Sequence, residues 1–403
     1  MLLTAENAII AIGENNEKGA VIHMSGYSIF LILIAVVGLT LFIYYSYPRD
    51  WIQGGYVRIL LIVYHASGVL AMALIFSCYR RIPFEWLKWL VVRWGTMYYI
   101  VGMLSCFLFI CRLVIKKAFW MLKKCGKMER ITVKQNAFWD KRIHSILFLV
   151  LSFGIAMIGF YHIDDTQITE YNIHIPKVAA VEELDILLIA DLHAGSGNWD
   201  STYDTLEEKI AQVKADVVLL GGDIFDETTL PEDIDRVGEI LDKMDPVYGC
   251  YYVYGNHDDY MAGDVEAIFH RKGVRVLKDE AVTIAGDIQL LGRLDPMYEH
   301  LGIEELIEVH RLDTNKPILV LQHRPKELKA LSKVGCDLSM SGHTHGFNIP
   351  HFLAIGIISE MLYGIRDYDD MKAIVTSGVA AWGFHYKWPA CSEIVHINIT
   401  FGE

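Results

Sequence analysis

Apolar residues change their spacing near residue 162. Before it lie four long stretches without acidic residues: Tyr27 to Tyr47, Ile59 to Cys78, Gly95 to Ile115 and Ile143 to Tyr161. Each is about 20 residues, enough for a helix to cross about 30 Å of hydrocarbon. After residue 162 the apolar runs are short and bounded by Gly or polar residues: LDILLIA (184–190), DVVLLGG (216–222), CYYVYG (250–255), ILVLQ (318–322) and DLSMSG (337–342). Runs of that kind are buried strands. Between them lie segments with helical spacing, such as Leu206, Ile210 and Val213, or Ile234, Val237 and Leu241. VTIAGDIQLLG (282–292) turns at Gly286-Asp287 as a hairpin, and ITEYNIHI (168–175) alternates like an edge strand before Pro176. Strands alternating with helices, then strands at the end, predict a layered α/β/β/α sandwich over 163–403 behind a four-helix membrane region over 1–162.

Charge follows the same division. The chain has a formal charge of −13, 53% hydrophobic residues and a mean hydropathy of +0.29. Residues 1–162 hold 17 Lys and Arg against 7 Asp and Glu, whereas 163–403 hold 19 against 42. So acidic a second half argues against nucleic acid as a partner, because that binding needs Lys and Arg on the phosphates. Residues 116–142 carry nine Lys and Arg, which places this loop in the cytoplasm and the acidic half outside it, on the far side of four spans. Arg80, Arg81, Lys88 and Arg93 run against that orientation. The Trp-rich segment Phe84 to Trp94 reads as interfacial anchoring. His65 and Arg112 are isolated polar groups, too few for a transport path. Seven Cys without a CxxC pair suggest buried thiols, with no disulfide framework or zinc ribbon.

The chemistry is concentrated where the short strands end. Asp191-Leu192-His193, Gly222-Asp223 with Asp226, Gly255-Asn256-His257-Asp258, Gln322-His323 and Gly342-His343-Thr344-His345 each follow one of the apolar runs. Ligand sites in layered α/β folds cluster at such ends. Carboxylate oxygen and imidazole nitrogen together suit divalent ions such as Mn, Fe or Zn. A pair of ions needs a bridging carboxylate and open positions for water and substrate. A hydroxide held between them would attack phosphorus while both ions neutralise the phosphoryl oxygens, and a His outside the ligand set would protonate the leaving oxygen.

The order DLH, GD-x-x-D, GNHD, H, GHTH resembles the calcineurin-like metallophosphoesterase superfamily, over about residues 180–400. The resemblance implies a first metal held by Asp191, His193 and His345 with Asp223 bridging. It implies a second held by Asp223, Asn256, His323 and His343. His257 becomes the catalytic acid, oriented by Asp258, and Asp226 supports the site without ligating. The ending TSGVAAWGF (376–384) with SEIV (392–395) is similar to the branch that holds membrane-associated bacterial members and UDP-2,3-diacylglucosamine pyrophosphatase-like enzymes. That branch has Gly-Gly-Gln where Gly346-Phe347-Asn348 stands here, and an Arg for which Lys387 is the nearest match. Of the histidines outside the motifs, His385 stands out, beside Trp382 and Lys387.

These readings lead to a multi-pass membrane protein with an outward-facing, two-metal phosphoesterase domain. Its reaction would be hydrolysis of a phosphodiester, phosphomonoester or pyrophosphate. Its partners would be the bilayer and a phosphorylated substrate, lipid-linked or in the cell envelope. Two rivals stand beside it. One is a phosphodiesterase for soluble nucleotides with the spans as an anchor. The other is a sensor or scaffold that binds without turnover, disfavoured because every ligand position and His257 are filled.

Overall fold

The computed structural model describes residues 36–37, 55–75, 82, 84–124, 141–195, 200–261, 263–346, 348 and 359–402. These form two compact units, 1–157 and 158–403. In the first, α1 (Gly55–Ile75) packs along α2 (Glu85–Lys124), a 40-residue helix that joins the Trp-rich segment to the third expected span without a break. Tyr98 of α2 lies against Gly68 of α1, and its hydroxyl meets His65 Nδ1 at 2.9 Å. Residues 58–75 and 86–122 are long and apolar enough to cross a membrane. The first expected span, 27–47, lies outside the described residues apart from 36–37. The fourth falls within α3 (Lys141–Asp164), whose apolar part, Leu149–Asp164, is shorter.

From Ile158 onward the chain builds two six-stranded mixed sheets. Their strands are β1 (Gln167–Ile175), β2 (Glu183–Ile189), β3 (Val217–Leu220), β4 (Cys250–Tyr252), β5 (Val274–Val276), β6 (Glu280–Ile284), β7 (Ile288–Gly292), β8 (Ile318–Leu321), β9 (Leu338–Ser341), β10 (Gly364–Tyr368), β11 (Met371–Val375) and β12 (Glu393–Phe401). One sheet runs β1-β12-β2-β3-β4-β5 and the other β10-β11-β9-β8-β7-β6. Alternation along the strands makes the layers. Leu184, Ile186 and Leu188 of β2 meet Leu319, Leu321 and Met340 between the sheets. Leu187 and Ile189 point the other way, onto helices α4 (Asp200–Ile210) and α5 (Pro231–Asp242), through Leu206, Ile210, Val237 and Ile240. Ile318 and Val320 likewise turn outward to Leu306, Leu328 and Leu331. The expected α/β/β/α sandwich is therefore present.

The parallel strands β2, β3, β4, β8 and β9 all point the same way within their sheets, so their C-terminal ends open on one edge of the sandwich. β10 and β5 were not expected; β10 is an exposed edge strand and β5 only three residues long, both weak in a sequence pattern. Helix α4 ends at Ile210, short of the Val213 that the helical spacing included, because Gln212 to Ala215 turn into β3.

Candidate metal centre at the strand ends

The five polar blocks meet at that edge. Two groups have donor atoms within 4.8 Å of one another: Asp191, His193 and His345, and Asp223, His323 and His343. Asp223 faces both. Its Oδ2 lies 3.1 Å from His323 Nε2 and 3.7 Å from His193 Nε2. The close approach of the GNHD turn explains Gly255, where any Cβ would overlap the Asp223 carboxylate. The backbone is left-handed at five of the seven expected ligand positions: φ is 51° at Asp191, 45° at His193, 51° at Asp223, 73° at His343 and 49° at His345. L-residues adopt this region at a cost, and it clusters at functional sites.

Backbone carbonyls orient two of the rings. His323 Nδ1 meets Gly221 O at 2.9 Å, and His345 Nδ1 meets Ala380 O at 3.2 Å. His323 then presents Nε2 to Asp223 and His345 presents Nε2 to Asp191, the arrangement that fixes the tautomer of a metal-ligating histidine. Asp226 stands behind His193, with Oδ2 3.5 Å from Nδ1, while its Oδ1 accepts from Thr228. Asn256 Oδ1 is buried with no hydrogen-bond partner among the described residues. A buried acceptor in that state costs free energy unless a donor or a cation meets it. The donor set and this orphaned oxygen fit two divalent ions.

The charges of these groups depend on one another. Burial raises Asp191 to about 6. Burial opposes ionisation of Asp223 too, but His323 and His257 hold it well below the usual carboxylate range. Burial would lower His323, yet Asp223 overcomes this and lifts it to about 10. Burial and the His323 charge keep His343 well below the ordinary value, hence neutral. His323 must give up a proton before it can ligate, so ion uptake here releases protons.

The cleft, about 70 Å³, is lined by Asp223, Asn256, His257, His343, His345, Asn348, Ala381 and Trp382. A larger groove of about 660 Å³ lies at the other end of β3, beside Lys214, Ala215 and Met244, far from these blocks. The orienting role expected of Asp258 needs correction. Its carboxylate accepts the backbone N–H groups of Asp223, Phe225 and Gly255 at 2.7, 2.9 and 2.8 Å, so it fixes the loops. The side chain at His257 Nδ1 is Glu227, at 3.3 Å, and Glu227 also accepts from Trp382 Nε1 at 3.0 Å. Sequence reading stopped one residue short of Glu227, and nothing in the spacing ties it to residues 257 and 382.

Two residues at the departures from the family pattern, Asn348 and Lys387, hold loops in place, and Asn348 also lines the cleft. Asn348 donates to Tyr386 O at 2.8 Å and accepts from Trp388 N at 3.1 Å, holding the loop that carries Trp382. Lys387 is fully buried, and its Nζ donates to Ser377 O at 2.6 Å and to Gly378 O, beneath Asp191. His385 Nε2 turns to Asp164, 2.7 Å away, and is absent from the cleft wall.

Residues 184–347 match the calcineurin-like phosphoesterase family. A Helicobacter pylori protein described as an uncharacterized metallophosphoesterase is 28% identical over 268 residues, 62% of this chain and 70% of its own length. A zebrafish protein, Danio rerio, described as a transmembrane protein with metallophosphoesterase domain, is 25% identical over 63% of this chain and 62% of its own. A Chlamydia trachomatis UDP-2,3-diacylglucosamine pyrophosphatase is 18% identical over 59% and 83%. With the strand-end geometry, these likenesses identify the chain as the carrier of a calcineurin-like metallophosphoesterase domain and as a metal-dependent phosphoester hydrolase.

Proposed function

We propose that the chain is a membrane-tethered, two-metal phosphoesterase that hydrolyses a phosphodiester, phosphomonoester or pyrophosphate on a membrane-proximal or envelope substrate. The observation that carries the two-metal reading is the single oxygen of Asp223 placed between His193 of one group and His323 of the other. In this reading Asp191, His193 and His345 hold one ion, Asn256, His323 and His343 the other, and Asp223 both. Bound divalent ions supply Lewis acidity, which activates a water and neutralises phosphoryl charge. His257 protonates the leaving oxygen. Its backbone N–H is fixed on Asp223 Oδ1 at 2.7 Å, and burial is overcome by Asp223 and Glu227, which raise its imidazolium to about 9. A positive His257 near neutral pH is the form a general acid needs.

Tethering is supported by the apolar helices and by the last turns of α3, from Ile158 to Asp164, which belong to the catalytic unit. Lys387 N donates to Gly159 O at 3.1 Å, only five residues from Trp382 in the cleft wall. Five residues span at most about 17 Å, so the end of α3 packs close to the cleft wall, which supports a substrate near the membrane in this reading. The relative whose described substrate carries two acyl groups agrees with this. The expected orientation puts the domain on the extracytoplasmic side.

The test uses the full chain in detergent, loaded with Mn, Fe or Zn. Bound metal and turnover of bis-p-nitrophenyl phosphate and p-nitrophenyl phosphate are measured for wild type and Asp223→Asn. About two metals per chain and turnover lost in the variant are expected, following the two-ion scheme. A fully active Asp223→Asn sinks the reading. Comparing lipid-linked pyrophosphates with soluble nucleotides then decides the substrate class.

A further inference from the structure

His257 is gripped by two residues that the GNHD block does not contain. With Asp258 committed to three backbone N–H groups, the carboxylate at the imidazole is that of Glu227. Its two oxygens serve two donors: Oε2 lies 3.3 Å from His257 Nδ1, and Oε1 accepts from Trp382 Nε1 at 3.0 Å. The Trp382 ring in turn lies over the imidazole, centroids 5.2 Å apart and planes at 33°. Trp382 is itself held in register with the metal centre, because Val379 N donates to Ala190 O at 3.0 Å and Ala380 N to Asp191 O at 2.9 Å. The backbone of His257 is fixed on Asp223. One carboxylate thus ties the ring of His257 to a loop more than 120 residues away in sequence.

We propose that Glu227, bridging His257 Nδ1 and Trp382 Nε1, is the positioning residue that commits His257 Nε2 to the leaving group. This rests on the acid role of His257 given above. The physical requirement is specific to a carboxylate. Imidazole Nδ1–H and indole Nε1–H are both donors, and an ionised carboxylate offers each its own acceptor oxygen. Glutamine has a single acceptor and turns an NH2 toward the other donor. Aspartate is one methylene short of one of them. With Nδ1 engaged and one ring face covered, Nε2 is the nitrogen left for the cleft. Such pre-orientation matters because a reacting group misplaced by about 1 Å can lose roughly 100-fold in rate.

The experiment compares kcat and KM of the full, metal-loaded chain on bis-p-nitrophenyl phosphate, whose leaving group needs no proton, and phenyl-leaving diesters, which do. Glu227→Gln is expected to lower kcat on the poor leaving group by about 10-fold or more, a part of the 100- to 10,000-fold that acid catalysis supplies. KM, metal content and the p-nitrophenyl rate should stay within about twofold, since a positioning residue touches neither ligand nor ground-state binding. Trp382→Phe, which keeps an aromatic ring and removes the N–H, should shift the same ratio in the same direction by less. In a His257→Ala background, Glu227→Gln should add nothing. Equal losses on both leaving groups, an effect confined to KM, or additivity with His257→Ala would overturn the proposal. Should His257→Ala itself fail to discriminate between leaving groups, the acid role falls and this proposal with it. If His257→Ala discriminates and Glu227→Gln does not, the positioning role alone is refuted.

Discussion

Deleting the end of α3 offers a direct test of where the catalytic domain begins. Phe160 and Ile163 are buried, 7% and 1% exposed, and Phe160 stacks edge-on against Tyr386 at 6.3 Å. Gly159 is there because any Cβ would enter the Tyr386 ring. The carbonyls of Gly159, His162 and Ile163 accept from Lys387 N, Ser392 N and Ser392 Oγ at 3.1, 2.9 and 3.2 Å. A fragment starting at residue 166 loses the two apolar side chains, about 1.5–3 kcal/mol each, and leaves those donors without partners, at about 1 kcal/mol or more apiece. Together these come to about 6–9 kcal/mol, a large part of a typical domain stability. At about 2–4 °C per kcal/mol for a domain of this size, the thermal midpoint falls by about 12 °C or more. Melting of fragments 158–403 and 166–403, followed by circular dichroism at matched metal content, measures it. Midpoints within about 3 °C of each other would refute the reasoning, because the loop from Trp382 to Ser392 would then stand without the helix.

Asn348→Ala leaves the Tyr386 carbonyl and the Trp388 N–H without their buried partner; a loss of about 2 kcal/mol is expected in urea unfolding, and a change under about 0.5 kcal/mol would contradict it. Burial lowers Lys387 to about 7 from 10.5. Between those values the unfolded chain binds the extra proton, so this lysine makes stability rise with pH, by up to about 1.4 kcal/mol per unit, and its penalty is complete below 7. Metal-free Lys387→Met should flatten that slope between pH 7 and 9, and a wild-type to variant difference independent of pH would exclude the effect. Chelation should lower the thermal midpoint by about 5–10 °C, because an ion at a hundred times its dissociation constant adds about 2.7 kcal/mol. Unchanged melting, with metal content shown to fall to zero, would mean that ions do not bind the folded domain.

The ligand-bearing ends were legible in the sequence because each is local. A buried parallel strand is a short apolar run, and the polar residue that follows it must lie at its C-terminal end, so DLH, GD, GNHD, QH and GHTH could be placed without knowing the strand order. The sandwich followed from the alternation of strands and helices for the same reason. β10 and β5 were missed because an exposed edge and a three-residue strand carry little periodicity.

The second layer of the centre was hidden for a different reason. Asp258 follows His257 directly, and the family resemblance gave it the role of orienting that ring. Neighbouring side chains point apart, however, and Asp258 turns inward to the N–H groups of Asp223, Phe225 and Gly255. Those donors exist because the turns at the strand ends leave the sheet ladder and take left-handed backbone at Asp223. A buried carboxylate that accepts three of them holds two loops in register, work that an apolar residue could not do. The role of orienting His257 then passes to Glu227, across 30 residues of sequence, and the wall over the ring to Trp382, across 125. Spacing shows what one strand end can do; which side chain supports which is settled only when the loops meet, by the donors that each turn leaves unpaired.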